Sequence, residues 1–296
     1  MPSAMIGRSV GTGIETASCR EPDRRRVSFV VLSCNSARVI GRCVRSLVAQ
    51  SPGGDGDEIW VVDNGSTDDS PDLLRALQSE FPDIVKVLFL DINRGTTVSR
   101  NLALRRAKGE YVAIVDSDVY VPAGTVDALI AHLGADDRTG LIAPRLIYSN
   151  GQLQLSADEF PTVLRKAQRF VALKSMERRM NLMAPPTGIQ PVDYVISAFW
   201  LMRRDVVNEI GPLDERIFYS PEDVDYCVRV WKAGYRVVYD ATVHAVHDAQ
   251  EISRGVRPLT LSHIKGLAYL FVKHRFILSR RRLCERVGRF ASQGLA

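Results

Sequence analysis

The feature that most constrains this chain is an alternation of apolar strands and amphipathic helices running from Val27 to Asp118. The run VSFVVLS is continuous and β-branched, as suits a strand buried on both faces. From Ala37 to Gln50, Val39, Ile40, Cys43, Val44, Leu47 and Val48 fall on one side of a helix. EIWVVD follows as a second strand. Ser70 and Pro71 suit the N-cap and first residue of a helix through Leu73, Leu74 and Leu77. VKVLFL, a helix over 98–107 and YVAIVD continue the pattern. Such units predict a parallel, doubly wound sheet that binds its ligand beyond the carboxyl ends of the strands. Three of those ends are polar: Cys34-Asn35, Asp63-Asn64 and Asp116-Ser117-Asp118.

Past Asn150 the alternation breaks. Residues 160–183 carry six bases and one acid, predicting an amphipathic helix closed by Pro185, Pro186 and Gly188. VDYVISAFWLM predicts a strand and residues 205–210 a short helix. Ser220-Pro221-Glu222-Asp223 opens another helix, with Val224, Val228 and Trp231 on its buried face. YRVVYDATVHAVH supplies one or two further strands, and a basic helix is expected from Pro258 to Phe290.

Charge is unevenly shared. The net +5 divides into +9 on residues 254–296 and −4 on residues 1–253. An acidic body argues against a general nucleic-acid binder, whose main domain should be basic. The chain contains no run of 18 apolar residues, so no membrane span is expected. Residues 1–26 lack the apolar core of a signal peptide and are expected to form a flexible lead-in. The five cysteines include no C-x-x-C pair, which predicts reduced thiols, a cytoplasmic setting and no zinc cluster.

Several residues could carry chemistry. Asp116 and Asp118, leaving a buried strand at i and i+2, could converge on one hard cation or simply form a polar turn. Glu222, Asp223 and Asp225 suit a helix dipole, yet three acids beside a Tyr-Ser-Pro turn also suit proton transfer. His244 and His247 face opposite sides of a strand; one could join Asp118 on a divalent metal, and spacing does not choose between them. Asp63 is either a turn former or an acceptor for the imide N–H of uracil or thymine.

Taken together, the segments resemble the family 2 glycosyltransferases. VSFVVLSCNSARVIGRCVRSL is similar to that family's opening strand and Asn turn, and IWVVDNGSTDDSPDLL to its base-binding segment. NRGTTVSRNLALRRAKGEYVAIVDSD resembles its path into the metal-binding D-x-D. SAFWLMRRDVVNEIGPLDERIFYSPEDVDYCVRVWKAGYRVVYDATVHAVH resembles its acceptor-side block. The resemblance covers roughly residues 27–253 in four ordered motifs.

It implies an α/β fold of the GT-A type: a Rossmann-like, mostly parallel sheet flanked by helices, with a C-terminal helical extension. The donor half would span 27–150, the acceptor half 151–253 and a basic helical tail 254–296. By position, Asp63 would bind the nucleobase, with Ser33 and Asn35 lining its pocket, and Arg100 and Asn101 would lie near the ribose or diphosphate. Asp116 would contact ribose and metal, while Asp118 and His247 would coordinate Mg²⁺ or Mn²⁺. Asp223 would be the general base and Glu222 its neighbour, positioning base or acceptor. Cys34 stands where the family often has an aromatic.

The implied reaction is inverting transfer from a nucleotide-diphosphate sugar to a hydroxyl of a glycan or lipid-linked glycan. DAQEISRG and the basic helix after it loosely resemble the rhamnosyltransferase branch, which makes dTDP-rhamnose the first donor to consider, before UDP- or GDP-sugars. Ile264, Leu267, Leu270, Phe271 and Phe276, set among the tail's bases, predict an amphipathic surface helix suited to the inner face of an anionic membrane. Two other classes fit the residues less well. A nucleotidyltransferase should carry a Gly-rich phosphate loop, which SCNSARVI lacks; a non-catalytic nucleotide-sugar-binding scaffold should lack the base or metal ligand, and both are present.

Overall fold

The β-branched runs form strands, and their burial on both faces fixes them in the middle of the molecule. A computed structural model describes residues 27–50, 56–182, 187–248, 258–275 and 279–288; the expected lead-in lies outside them. The first half comprises β1 (Val27–Ser33), α1 (Ile40–Val48), β2 (Glu58–Asn64), α2 (Ser70–Glu80), β3 (Val85–Leu90), α3 (Thr96–Leu104), β4 (Tyr111–Asp116), β5 (Val119–Tyr120), α4 (Thr125–Gly134) and β6 (Thr139–Ile147). The second comprises β7 (Ala157–Asp158), α5 (Val163–Leu182), β8 (Ile189–Pro191), β9 (Tyr194–Val195), β10 (Phe199–Arg203), α6 (Arg204–Ile210), α7 (Glu222–Lys232), β11 (Arg236–His247), α8 (Pro258–His274) and α9 (Arg280–Arg286).

One sheet takes strands from both halves, in the order β3-β2-β1-β4-β10-β6-β11-β5, with β8 beside β11. β3, β2, β1 and β4 are parallel, and β6 and β11 are parallel to each other. β10 runs antiparallel between β4 and β6, so the sheet is mostly rather than wholly parallel. Helices cover the sheet and bury two apolar layers, one built on Trp200, Tyr226 and Trp231, the other on Phe29, Ile40 and Phe199. Truncating a side chain as buried as Trp200 removes about 3–5 kcal/mol of stability.

Several elements differ from the sequence expectation for local reasons. Ser70 is the first residue of α2 rather than its N-cap: its hydroxyl accepts the Ser36 N–H (2.8 Å), and Asp68 accepts the Ser70 N–H (3.0 Å). VDYVISAFWLM is two strands in different sheets: β9 pairs with β7 in a small two-stranded sheet, β10 joins the main sheet, and Ile196, Ser197 and Ala198 link them. The expected C-terminal helix is two, α8 and α9; Arg275 after α8 has a left-handed backbone (φ 53°).

The tail docks on the body. Leu270, Leu283 and Cys284 are buried, while Ile264 and Val272 stay exposed and Phe276 lies outside the described residues. Arg280 Nε lies 2.5 Å from the Asp193 carboxylate, and Lys273 pairs with Asp214 and Asp225. The expected surface helix thus spends part of its charge and a central leucine on the protein itself. No helix among the described residues is long and apolar enough to cross a membrane.

Candidate active site

Register brings the polar strand ends to one edge. Ser33 pairs with Asp63, and Leu32 with Asp116, so the carboxyl ends of β1, β2 and β4 stand side by side. β11 pairs with β5 so that His247 lies opposite Val119, which brings its ring beside Asp118. His247 Nε2 is 3.2 Å from Asp118 Oδ1, and one ligand atom from each of Asp116, Asp118 and His247 lies within 4.8 Å of the others. His244, the alternative, is not in this group.

Gln154 fixes the His247 tautomer. Its Oε1 lies 2.8 Å from His247 Nδ1 and has only lone pairs to offer, so Nδ1 donates to it, while Nε2 donates to Asp118 when the ring is protonated and keeps a lone pair for a cation when it is not. Two carboxylates and one imidazole nitrogen form a donor set that fits Mg²⁺ or, better, Mn²⁺. Burial opposes charge on His247, but Asp118 outweighs it and raises the imidazole pKa. Burial pushes Asp116 up, against the pull of Arg100.

Arg100 joins this group to the second acidic cluster. Its side chain is 2% exposed; Nη2 donates to Asp116 Oδ1, and Nη1 donates to Ser197 Oγ (2.9 Å) and Glu222 Oε1 (3.2 Å). Ser197 Oγ also donates to Glu222 Oε1 at 2.9 Å. The break between β9 and β10 is what frees Ser197 to reach this position. Burial first, then the neighbouring Asp223 charge, pushes Glu222 up to about 7, with Arg100 opposing. Asp223 is half-buried, its Oδ1 accepting the Val224 N–H at 2.8 Å. Asp225 points away to α8 and does not join the site.

At the β1–β2 edge, Asp63 is 2% exposed and accepts from Ser66 Oγ (2.5 Å) and the Ser66 N–H (3.2 Å). Asn35 takes a left-handed backbone (φ 51°), which asparagine tolerates, and its Oδ1 accepts the Thr67 N–H at 2.8 Å. Ser33 Oγ lies 2.6 Å from Ser36 Oγ. All three therefore brace the turn that rims the edge. Asn101, expected near the ribose or diphosphate, is fully buried. Its amide donates to Leu213 O (2.9 Å) and Glu215 Oε1 (3.0 Å) and accepts the Leu213 N–H (3.0 Å), which pins the loop after α6.

Sequence reasoning missed Gln154 and Ser197. Burial, then the charges of Glu222 and Asp116, raises the phenol of Tyr219 in the Tyr-Ser-Pro turn. The signal for a buried Arg100 was available: TTVSRNLAL has no charged face to turn to solvent.

Comparison with known proteins decides the family. "Glycosyl transferase family 2" matches residues 28–211, more than half of the chain. The chain belongs to glycosyl transferase family 2. The "Pre-mycofactocin glycosyltransferase" of Mycobacterium tuberculosis is 31% identical over 229 residues, 77% of this chain and 43% of the relative. The chain thus spans less than half that relative's length. The same organism's "N-acetylglucosaminyl-diphospho-decaprenol L-rhamnosyltransferase" is 27% identical over 235 residues, 73% of this chain and 75% of the relative. Among solved structures, the mannosyltransferase PcManGT from Pyrobaculum calidifontis, in complex with GDP-Man and Mn²⁺, aligns with a TM-score of 0.60 at 22% identity, covering 92% of this chain and 71% of its own. GalNAc-T7 with UDP, GalNAc and Mn²⁺ aligns at 0.60 and 14% identity, covering 91% and 58%. These neighbours are GT-A glycosyltransferases, and the chain shares their fold.

Proposed function

We propose that the family 2 chain transfers a sugar, with inversion, from a nucleotide-diphosphate donor to an acceptor hydroxyl. The observation that carries this is Arg100, which ties the Asp116 side of the cation group to Glu222, the residue beside Asp223. In this reading Asp63, with Ser33 and Asn35, receives the nucleobase, and Asp116 faces the ribose. Asp116, Asp118 and His247 would hold Mg²⁺ or Mn²⁺, which would supply positive charge for the departing diphosphate. Asp223, half-buried rather than paired inward, takes the proton of the attacking hydroxyl. Glu222 is spoken for by Arg100 and Ser197, so it orients the first turn of α7 and its neighbour's carboxylate. Arg100 acts through Asp116 and Glu222.

The rhamnosyltransferase relative supports dTDP-rhamnose as the first donor to test and a lipid-linked diphosphate glycan as the acceptor class. The GDP- and UDP-bound neighbours supply the other arms. A thermal-shift panel of dTDP, UDP and GDP and their sugars, with and without Mn²⁺, tests this. A ligand at 100 times its Kd stabilises the native state by about 2.7 kcal/mol. A rise confined to dTDP compounds with Mn²⁺ is expected, and no rise with any nucleotide would overturn the reading. Hydrolysis of the bound donor separates an enzyme from a nucleotide-sugar-binding protein of the same fold.

A further inference from the structure

The helix bearing the proposed base has no cap of its own. Pro221 stands at its N-cap and offers no side-chain acceptor, and among the described residues the one first-turn N–H held by a side chain is Val224's, taken by its neighbour Asp223. What holds this turn comes from elsewhere in the chain. From α3, the Thr96 N–H donates to Phe218 O (2.6 Å) and Thr97 Oγ1 to Ile217 O (2.7 Å). From α8, Gly266 packs directly on Ser220: a Cβ at 266 would overlap the Ser220 carbonyl oxygen and lie 3.1 Å from Pro221 Cδ.

Two turns further along α8, a second contact reaches the other side of the base. Lys273 Nζ lies 2.6 Å from Asp225 Oδ1 and 2.6 Å from Asp214 Oδ2. His274 Nε2 lies 2.8 Å from the same Asp225 oxygen, and the Tyr269 hydroxyl donates to Asp214 Oδ2 at 2.9 Å. Asp225 is 1% exposed, so the polar partners it has inside the protein are what make its burial tolerable. α8 therefore grips the chain at Ser220 and Asp225, on either side of Glu222 and Asp223. Arg100 and Ser197 hold Glu222 from the opposite direction.

We infer that α8 belongs to the catalytic unit, with Gly266, Lys273 and His274 as positioning residues that set the first turn of α7 and hence the aim of Asp223. The inference rests on Asp223 being the base. Opening the Gly266 contact enough to admit a methyl group moves the turn by about 1 Å, a misplacement that costs on the order of 10²-fold in rate.

The test uses the full chain with MnCl₂, carrying Gly266→Ala, Lys273→Met or Lys273→Arg. Amide hydrogen exchange of residues 220–226 is read by mass spectrometry. Hydrolysis of dTDP-, UDP- and GDP-sugars is read alongside it. In Gly266→Ala and Lys273→Met, exchange over 220–226 is expected to quicken while residues 27–33 and 58–64 keep theirs. The hydrolysis kcat falls by about 10- to 100-fold with donor KM and nucleotide Kd unchanged, and Lys273→Arg recovers most of the rate. If Gly266→Ala fails to fold, Lys273→Met decides alone. Unaltered exchange at 220–226, or KM and kcat worsening together with exchange quickened throughout, would overturn the inference. Should no sugar be hydrolysed by the unsubstituted chain, the exchange data decide. Full hydrolysis in Asp223→Asn would remove the base reading while leaving the α8 contact to stand or fall on exchange.

Discussion

Two acidic clusters meet at Arg100, and they are built in opposite ways. Asp116 and Asp118 leave the end of a buried strand two residues apart, so their carboxylates converge, with His247, on one point. Glu222, Asp223 and Asp225 occupy the first turn of a helix, where each residue turns the side chain by about 100°. Their carboxylates are taken up by different partners: Glu222 by Arg100 and Asp225 by α8, while Asp223 between them stays half-buried. A strand end gathers charge on one ligand, whereas a helix start deals it out among different tasks. Two acids and a histidine thus make a cation group in one place, and three acids make a base with two anchors in the other.

That contrast can be broken experimentally, starting with the acid between the two anchors. Asp223→Asn is expected to lower donor hydrolysis and transfer by about 10²- to 10⁴-fold, with nucleotide affinity in Mn²⁺ retained; near-normal turnover would sink its role as base. Arg100→Met removes the shared partner and leaves Glu222 buried, and Asp116 half-buried, without it. A stability loss of about 3–5 kcal/mol is expected by urea unfolding, far more than a surface arginine would show. Gln154→Leu frees the His247 ring without touching a ligand atom. Mn²⁺ affinity by calorimetry should weaken about 10- to 100-fold, with metal-free nucleotide binding unchanged.

A further effect concerns pH. Glu222 titrates near 7 in the folded chain against about 4.3 when unfolded. Between those values the folded state holds the extra proton, so this group's contribution to stability is full below the lower value and is lost as pH rises through 7. Unfolding in EDTA at pH 5 and pH 7.5 should therefore show a decline in stability across the interval that Glu222→Gln reduces. An unchanged slope in that variant would mean that burial does not hold the proton there.

How much of this was legible beforehand follows from distance along the chain. β1, β2, β4 and their polar ends were visible because strand burial and strand exit are local properties of a few residues. The division of labour within Glu222–Asp225 was not, because it depends on partners far away in sequence. Arg100 finds Glu222 across 122 residues and Ser197 across 97, and His247 finds Gln154 across 93. Asn101 shows the same limit from the other side. The family resemblance implied a donor contact for Asn101, and its amide bonds the loop at Leu213.

The sequence by itself determined the alternation, the polar strand ends, the two acidic clusters and the family they resemble. It also determined the uneven charge, since counting lysines and arginines needs no coordinates. Only the tertiary structure decided where that charge goes: Lys273 and Arg280 reach Asp214, Asp225 and Asp193 on the acidic body, instead of all facing outward. The physical reason is that periodicity reports which face of an element is buried, whereas ion pairing depends on which carboxylate the packed elements bring within about 3 Å. A basic tail on an acidic body is, in part, one half of a contact within the chain.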